Sequence, residues 1–201
     1  PPARSRLHSV SRRVRCNDFL PPDRSATQRY RHHYSYFGFS PCALLQTSQG
    51  CSKQCVFCLR WRLEGGQEKH REIDSVCIEI SEITEENIMI IDNDFLCEHK
   101  RIEKLCDFLE NSGIRKNFLC YGSVSSILAN KESVLRFGRH GLRAVLVGYE
   151  SFNDRELAEY RKPSTQQDSL QVSRILRSHG IDVWASFIMH PDWSHKDFSS
   201  F

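Results

Sequence analysis

The stretch Cys42-Ala-Leu-Leu-Gln-Thr-Ser-Gln-Gly-Cys51-Ser-Lys-Gln-Cys55-Val-Phe-Cys58 runs from a short apolar strand directly into a loop holding three cysteines within eight residues. Their spacing is C-x3-C-x2-C, so one short loop can wrap three thiolates round a single metal centre without help from the rest of the fold. A strand followed at once by such a loop places the site at a strand's C-terminal end. That is where open α/β sheets and barrels bind their ligands.

Downstream, apolar runs predict strands at 42–47, 87–91, 117–121, 143–147 and 181–188, with helices at 73–83, 98–111, 131–140 and 165–179 between them. Ile73, Val76, Cys77 and Ile80 recur at helical spacing, as do Ile102, Leu105, Cys106 and Leu109. Gly113, Gly141 and Gly180 stand where helices should stop. Each crossover is long enough to require parallel pairing. The expected fold is α/β, a partial (β/α) TIM-like barrel of parallel strands.

The chain has 201 residues, 39% of them apolar, enough for one domain with an arm and too apolar for a disordered chain. Apolar runs do not exceed four residues, far short of the roughly 20 needed to span a membrane. Residues 1–31 carry eight Arg, no Lys and two Asp, a net charge of +6, which leaves −3 for the remainder. The basic character therefore belongs to an arm, read as a linker or a poorly ordered segment; a transit peptide is a further reading of it. The aromatic run at 30–40 is expected to pack on the domain that follows. Nine cysteines, an odd number, with three crowded and the others scattered, argue for a reducing compartment such as the cytoplasm. Cys16, Cys42, Cys77, Cys97, Cys106 and Cys120 read as small structural thiols.

A structural zinc site wants four ligands, usually two pairs. No second cysteine pair follows, and His70 lies 12 residues on. A [4Fe–4S] cubane takes four cysteines; three leave one iron open to a substrate or cofactor. Zinc and incidental core cysteines remain as alternatives.

C-x3-C-x-aromatic-C after the first strand of a βα chain resembles the radical S-adenosylmethionine (SAM) superfamily, over about residues 40–198. The resemblance implies that Cys51, Cys55 and Cys58 ligate a [4Fe–4S] cluster whose open iron chelates SAM. One electron then cleaves SAM to methionine and a 5′-deoxyadenosyl radical, which abstracts hydrogen from substrate. It also implies an electron donor such as flavodoxin or ferredoxin, and a small-molecule or peptide substrate. Phe57 would lie by the adenine, Gly50 allows the tight turn into the loop, and Lys53 and Arg60 would offset thiolate charge.

After the second strand, Asp92-Asn93-Asp94-Phe95 stands where many members carry Gly-Gly-Glu-Pro; Asn93 or Asp94 would contact the SAM ammonium. Gly65-Gly66 is in the wrong place for that role. Tyr121-Gly122-Ser123 is the candidate for the methionine end, and Ser123 is carried as a contact. Gly148-Tyr149-Glu150-Ser151 resembles a Gly-x-Glu-Ser segment whose glutamate contacts SAM, which assigns Glu150. Relatives often carry a glycine near Met189–His190, and this chain does not, so its adenine contact is left open. No side chain is assigned a catalytic role.

The aromatic run, the Asp-Asn-Asp-Phe segment and the Gly-x-Glu-Ser segment resemble the cobalamin-associated branch. There a cobalamin-binding domain precedes the core, and methylation, rearrangement and cyclisation all occur. No Asp-x-His-x-x-Gly motif occurs here, so cobalamin would be bound outside this chain. Residues 1–40 would be an arm or interdomain linker and 41–201 a core of five units where the family has six, a fragment not expected to turn over the native substrate. The alternatives are a tRNA-modifying radical SAM enzyme, its arm on phosphates, and a zinc-stabilised nucleic-acid-binding module. Eight Arg without an RNA-binding fold do not make nucleic acid the expected partner.

Overall fold

A computed structural model describes residues 22–200. β1 (Cys42–Leu45) leads into β2 (Ser48–Gln49), the cysteine loop and α1 (Arg60–Leu63). Next come β3 (Lys69–His70), α2 (Ile73–Glu82), β4 (Asn87–Ile90) and α3 (His99–Ser112), then β5 (Asn117–Ser123), α4 (Val124–Ala129), α5 (Lys131–Arg139) and β6 (Leu142–Glu150). α6 (Asp154–Glu159), α7 (Gln166–Ser178), β7 (Asp182–Phe187) and α8 (His195–Ser200) complete the order. The main sheet runs β1-β4-β5-β6-β7, every neighbouring pair parallel, and β2 and β3 form a separate antiparallel ribbon. The five strands and four long helices stand where the sequence pattern puts them. The ribbon and the short helices α1, α4, α6 and α8 were not foreseen.

Side chains alternate across the sheet with period two. Ala43, Leu45, Ile88, Ile90, Phe118, Cys120, Val145 and Val147 join Ile80, Ile102, Leu105 and Val172 of the helices in one core. Each large aliphatic side chain buried there contributes about 1.5–3 kcal/mol. Cys42, Met89, Leu119 and Ala144 occupy the opposite, inner face. Tyr36, Phe37 and Phe39 pack on them, and the Phe37 ring lies 4.5 Å from that of Trp184 on β7. The expected docking of the aromatic run is thus present, although Tyr30 and Tyr34 stay exposed.

The segment read as a loose basic arm is, from residue 22 onward, tied to the core. Arg24 reaches Glu79 at 2.5 Å and the Leu44 carbonyl at 2.8 Å. Arg31 grips both Glu85 oxygens at 2.5 Å. Buried carboxylates at 79 and 85 need cations, and two arm arginines supply them. The other six arginines lie at or before residue 29; Cys16 and residues 1–21 fall outside the described residues.

Candidate functional site

The cysteine loop begins from a polar anchorage beneath the end of β1. Asp92, 1% exposed, accepts from Thr47 N–H at 2.7 Å, from Ser48 Oγ at 2.8 Å and from Thr47 Oγ1. Arg101 of α3 donates to the carbonyls of Thr47 and Arg71. Gly50 then turns with φ +94°, and a Cβ there would stand 1.9 Å from the Gln67 carbonyl oxygen, so only glycine fits. Beyond the turn, Trp61 Nε1 donates to Cys55 O at 3.0 Å and Val56 N–H to Tyr160 O at 3.2 Å.

Cys51, Cys55 and Cys58 line one cavity of about 220 Å³ at the C-terminal end of the sheet, together with Phe57, Asn93, Asp94, Ser123 and Glu150. Every site residue expected from the sequence is brought to that cavity. The wall also includes Lys53, Arg60, Tyr121, Leu146, Gly148, Lys162 and Ser186. Leu146, Gly148 and Glu150 share a face of β6 by alternation; counting back in twos from Glu150 would have found Leu146. Ser186 pairs with Gly148 in the register, which only the sheet discloses. Met189 and His190 do not line the cavity. Met189 is exposed, and His190 stands 3.6 Å from Asp192.

Two lysine–carboxylate pairs flank the thiols. Lys53 Nζ lies 2.6 Å from Asp94 Oδ2, and Lys162 Nζ lies 3.4 Å from Glu150 Oε1, with Lys162 only 7% exposed. Glu150 sits at φ +66°, a left-handed conformation unusual for a side chain of that size and a form of strain common at functional sites. Gly148 leaves room for this pair, since a Cβ there would lie 2.4 Å from Glu150 Oε1. Burial pushes the Cys51 and Cys55 thiols up; the Lys53 backbone N–H opposes it at Cys51 and the Lys162 ammonium at Cys55. Asp94 is nearly enclosed, and its oxygens also accept from Ser126 Oγ at 2.8 Å and Ser123 N–H at 3.2 Å. Asn93 donates to Gly50 O at 2.8 Å and to Glu64 at 3.1 Å. Phe57 is half exposed and meets Tyr160 edge-on at 5.7 Å.

Among the described residues, no three His, Cys, Asp or Glu side chains converge as they would round a single ion. Three free thiols lining one cavity suit instead a polynuclear centre whose irons each take one thiolate. The donor set therefore fits an iron–sulfur cluster with one iron left open. His70, the remaining candidate for a zinc ligand, lies 3.8 Å from both Glu68 and Glu98 and away from the cavity. Of the scattered cysteines, Cys42, Cys77, Cys106 and Cys120 are buried. Burial pushes the Cys106 thiol up to about 12. Cys97 is half-buried and donates to Glu68.

The sequence pattern of the radical SAM superfamily matches residues 45–201. Hopanoid C-3 methylase of Methylococcus capsulatus is 25% identical over 170 residues, which are 85% of this chain and 33% of that protein. The anaerobic magnesium-protoporphyrin IX monomethyl ester cyclase of Synechocystis is 23% identical over 77% of this chain and 32% of its own length. The chain thus spans about a third of these curated relatives. Among solved structures, the cobalamin-dependent SAM radical enzyme OxsB, with aqua-cobalamin and SAM bound, superposes with a TM-score of 0.68. It is 19% identical, over 78% of this chain and 25% of that one. The radical SAM methyltransferase TsrM of Kitasatospora setae gives 0.68 at 16% identity, over 79% and 32%. These likenesses establish the fold.

Proposed function

The chain belongs to the radical SAM superfamily, and on that premise we propose that it is the core of an enzyme that cleaves SAM reductively to abstract hydrogen from a substrate. The observation that carries this reading is that Cys51, Cys55 and Cys58 share one cavity with the strand-end residues of β4, β5 and β6. When bound, a [4Fe–4S] cluster held by these thiols supplies the electron that splits SAM into methionine and a 5′-deoxyadenosyl radical.

The chain's own groups bind and orient. The Asn93 carbonyl and the Glu150 carboxylate are the acceptors for the SAM ammonium. Lys162 holds Glu150 in place, and the exposed Phe57 ring offers a face for the adenine. Asp94 and Ser123, carried from the sequence as direct contacts, are engaged by Lys53 and act at one remove. Leu146 and Tyr121 add apolar surface to the cavity lining, which would limit water at the reacting atoms.

Likeness to a hopanoid methylase and to cobalamin enzymes supports the cobalamin-associated branch, with a methyltransferase or cyclase reaction for the whole protein. No described residue is assigned to cobalamin. The substrate is a small molecule or peptide and the electron donor a flavodoxin- or ferredoxin-like protein. No described helix is long and apolar enough to cross a membrane, and free thiols suit the reducing cytoplasm. Arg24 and Arg31 are engaged by Glu79 and Glu85, which leaves them unavailable to tRNA phosphates.

Anaerobic reconstitution should give a brown protein absorbing near about 400 nm with about four irons per chain. With a reductant it should release 5′-deoxyadenosine from SAM. Cys55→Ala should lose both properties; a colourless, zinc-loaded chain overturns the reading.

A further inference from the structure

Lys53 lies between the first two cysteines, yet its ammonium turns inward to four oxygens. Nζ stands 2.6 Å from Asp94 Oδ2, 2.8 Å from Ser126 Oγ and 3.1 Å from Ser125 Oγ, and it also donates to Ser123 Oγ. The socket is held together independently of the lysine. Asp94, 3% exposed, accepts from Ser126 Oγ and Ser123 N–H, and Ser123 Oγ accepts from Ser126 N–H at 3.2 Å. A long, strongly hydrated ammonium gives up water and rotamer freedom only where such a set of acceptors replaces them.

The neighbours of Asp94 act on the same loop. Asp92 holds Thr47 and Ser48, and Asn93 holds the Gly50 carbonyl. Three consecutive residues after β4 thus grip the loop at 47–48, 50 and 53. Among the described residues the next long-range ties past Gly50 are those of Cys55 and Val56, so the Lys53 side chain anchors the segment bearing Cys51.

We propose that Lys53 and the Asp94–Ser123–Ser125–Ser126 socket form a latch that sets the thiols of Cys51 and Cys55 in place before any metal arrives. Lys53 is then a positioning residue for the cluster ligands. This rests on the cluster reading above, but its test does not require a cluster.

The experiment is alkylation of the metal-free, reduced chain by iodoacetamide, with each cysteine followed by mass spectrometry. Loss of the ammonium alone lowers the thiolate fraction and slows alkylation. Release of the loop exposes the thiols and speeds it. Lys53→Met should raise the rates at Cys51 and Cys55 about tenfold, between what an exposed and a fully buried pair would give, with Cys106 unchanged. Asp94→Asn should do the same, and the double variant should add little to either single one. Unchanged or slower rates at Cys51 and Cys55, or full additivity, overturn the latch. If Lys53→Met unfolds, Cys106 reacts as well, and Ser125→Ala becomes the deciding variant under the same criteria. Iron uptake by the unmodified chain is scored separately: its failure overturns the cluster reading, while the alkylation rates still decide the latch.

Discussion

At the N-terminal end of the sheet, Arg31 forks onto both oxygens of Glu85, and along the edge strand β1 Arg24 and Arg71 converge on Glu79 at 2.5 and 2.7 Å. At the C-terminal end, Lys53 and Lys162 each take one carboxylate. The inner face of the sheet is also filled, with Tyr36, Phe37 and Phe39 packed on Met89 and Leu119. The C-terminal end is left open by small residues, Gly148, Ser123 and Ser186, and holds Glu150 at a positive φ. Arginine's planar fork matches a carboxylate at two points and suits a permanent clamp, whereas lysine is a compact charge that fits a socket of hydroxyls. The clamped edge and inner face of the sheet are thus built to close, and its C-terminal end keeps polar groups and strain where a ligand can use them.

The sharpest way to break this comparison is Gly50→Ala, which forces a Cβ against the Gln67 carbonyl at φ +94°. It should cost more than about 2 kcal/mol in urea unfolding and remove iron loading, while Phe37 stays packed on Trp184. Iron loading retained at full stoichiometry would show that the loop geometry is not needed.

A smaller effect is expected from Glu85→Gln at the clamped end. Arg31 holds the Glu85 carboxyl below its ordinary value of 4.5. The folded protein therefore binds fewer protons than the unfolded chain, so this stability is present above pH 4.5 and is lost as pH falls through the lower folded value. The variant should lose about 1–2 kcal/mol at neutral pH, between the values for exposed and buried pairs, and should flatten the acid limb below pH 4.5. Iron loading should not change. A loss of loading would mean that the two ends are coupled.

The smallest effect is Cys106→Ala, deep among the helices at 0% exposure. It removes one sulfur from the core for about 1 kcal/mol and should leave iron content at the level of the unmodified chain. If it proved as damaging as Cys55→Ala, the division between ligand and structural thiols would fail.

The elements the sequence concealed were short or polar. α1, α4 and α6 have four to six residues, too few for a helical period to show, and β2 and β3 have two each. β5 runs on to Ser123 and β6 to Glu150, past the end of their apolar runs. Of those last residues, Gly122, Ser123, Gly148 and Glu150 line the cavity, where small and polar side chains replace the apolar signal that marks a strand. Asp94 was legible as a site residue from its place after β4. Its partner was not, because Lys53 is 41 positions away and nothing local distinguishes an inward lysine from a solvated one.

What the sequence determined by itself was everything governed by local period and spacing. That includes the alternation of strands and helices, their parallel pairing through long crossovers, the thiol loop at the end of the first strand and the glycine it turns on. What the tertiary structure decided was pairing across the sheet: Lys53 with Asp94, Lys162 with Glu150, and two arm arginines with Glu79 and Glu85. Spacing shows which residues share a face. Which charges meet depends on the register and curvature of the sheet, and on the desolvation that leaves a buried carboxylate no stable state without its cation.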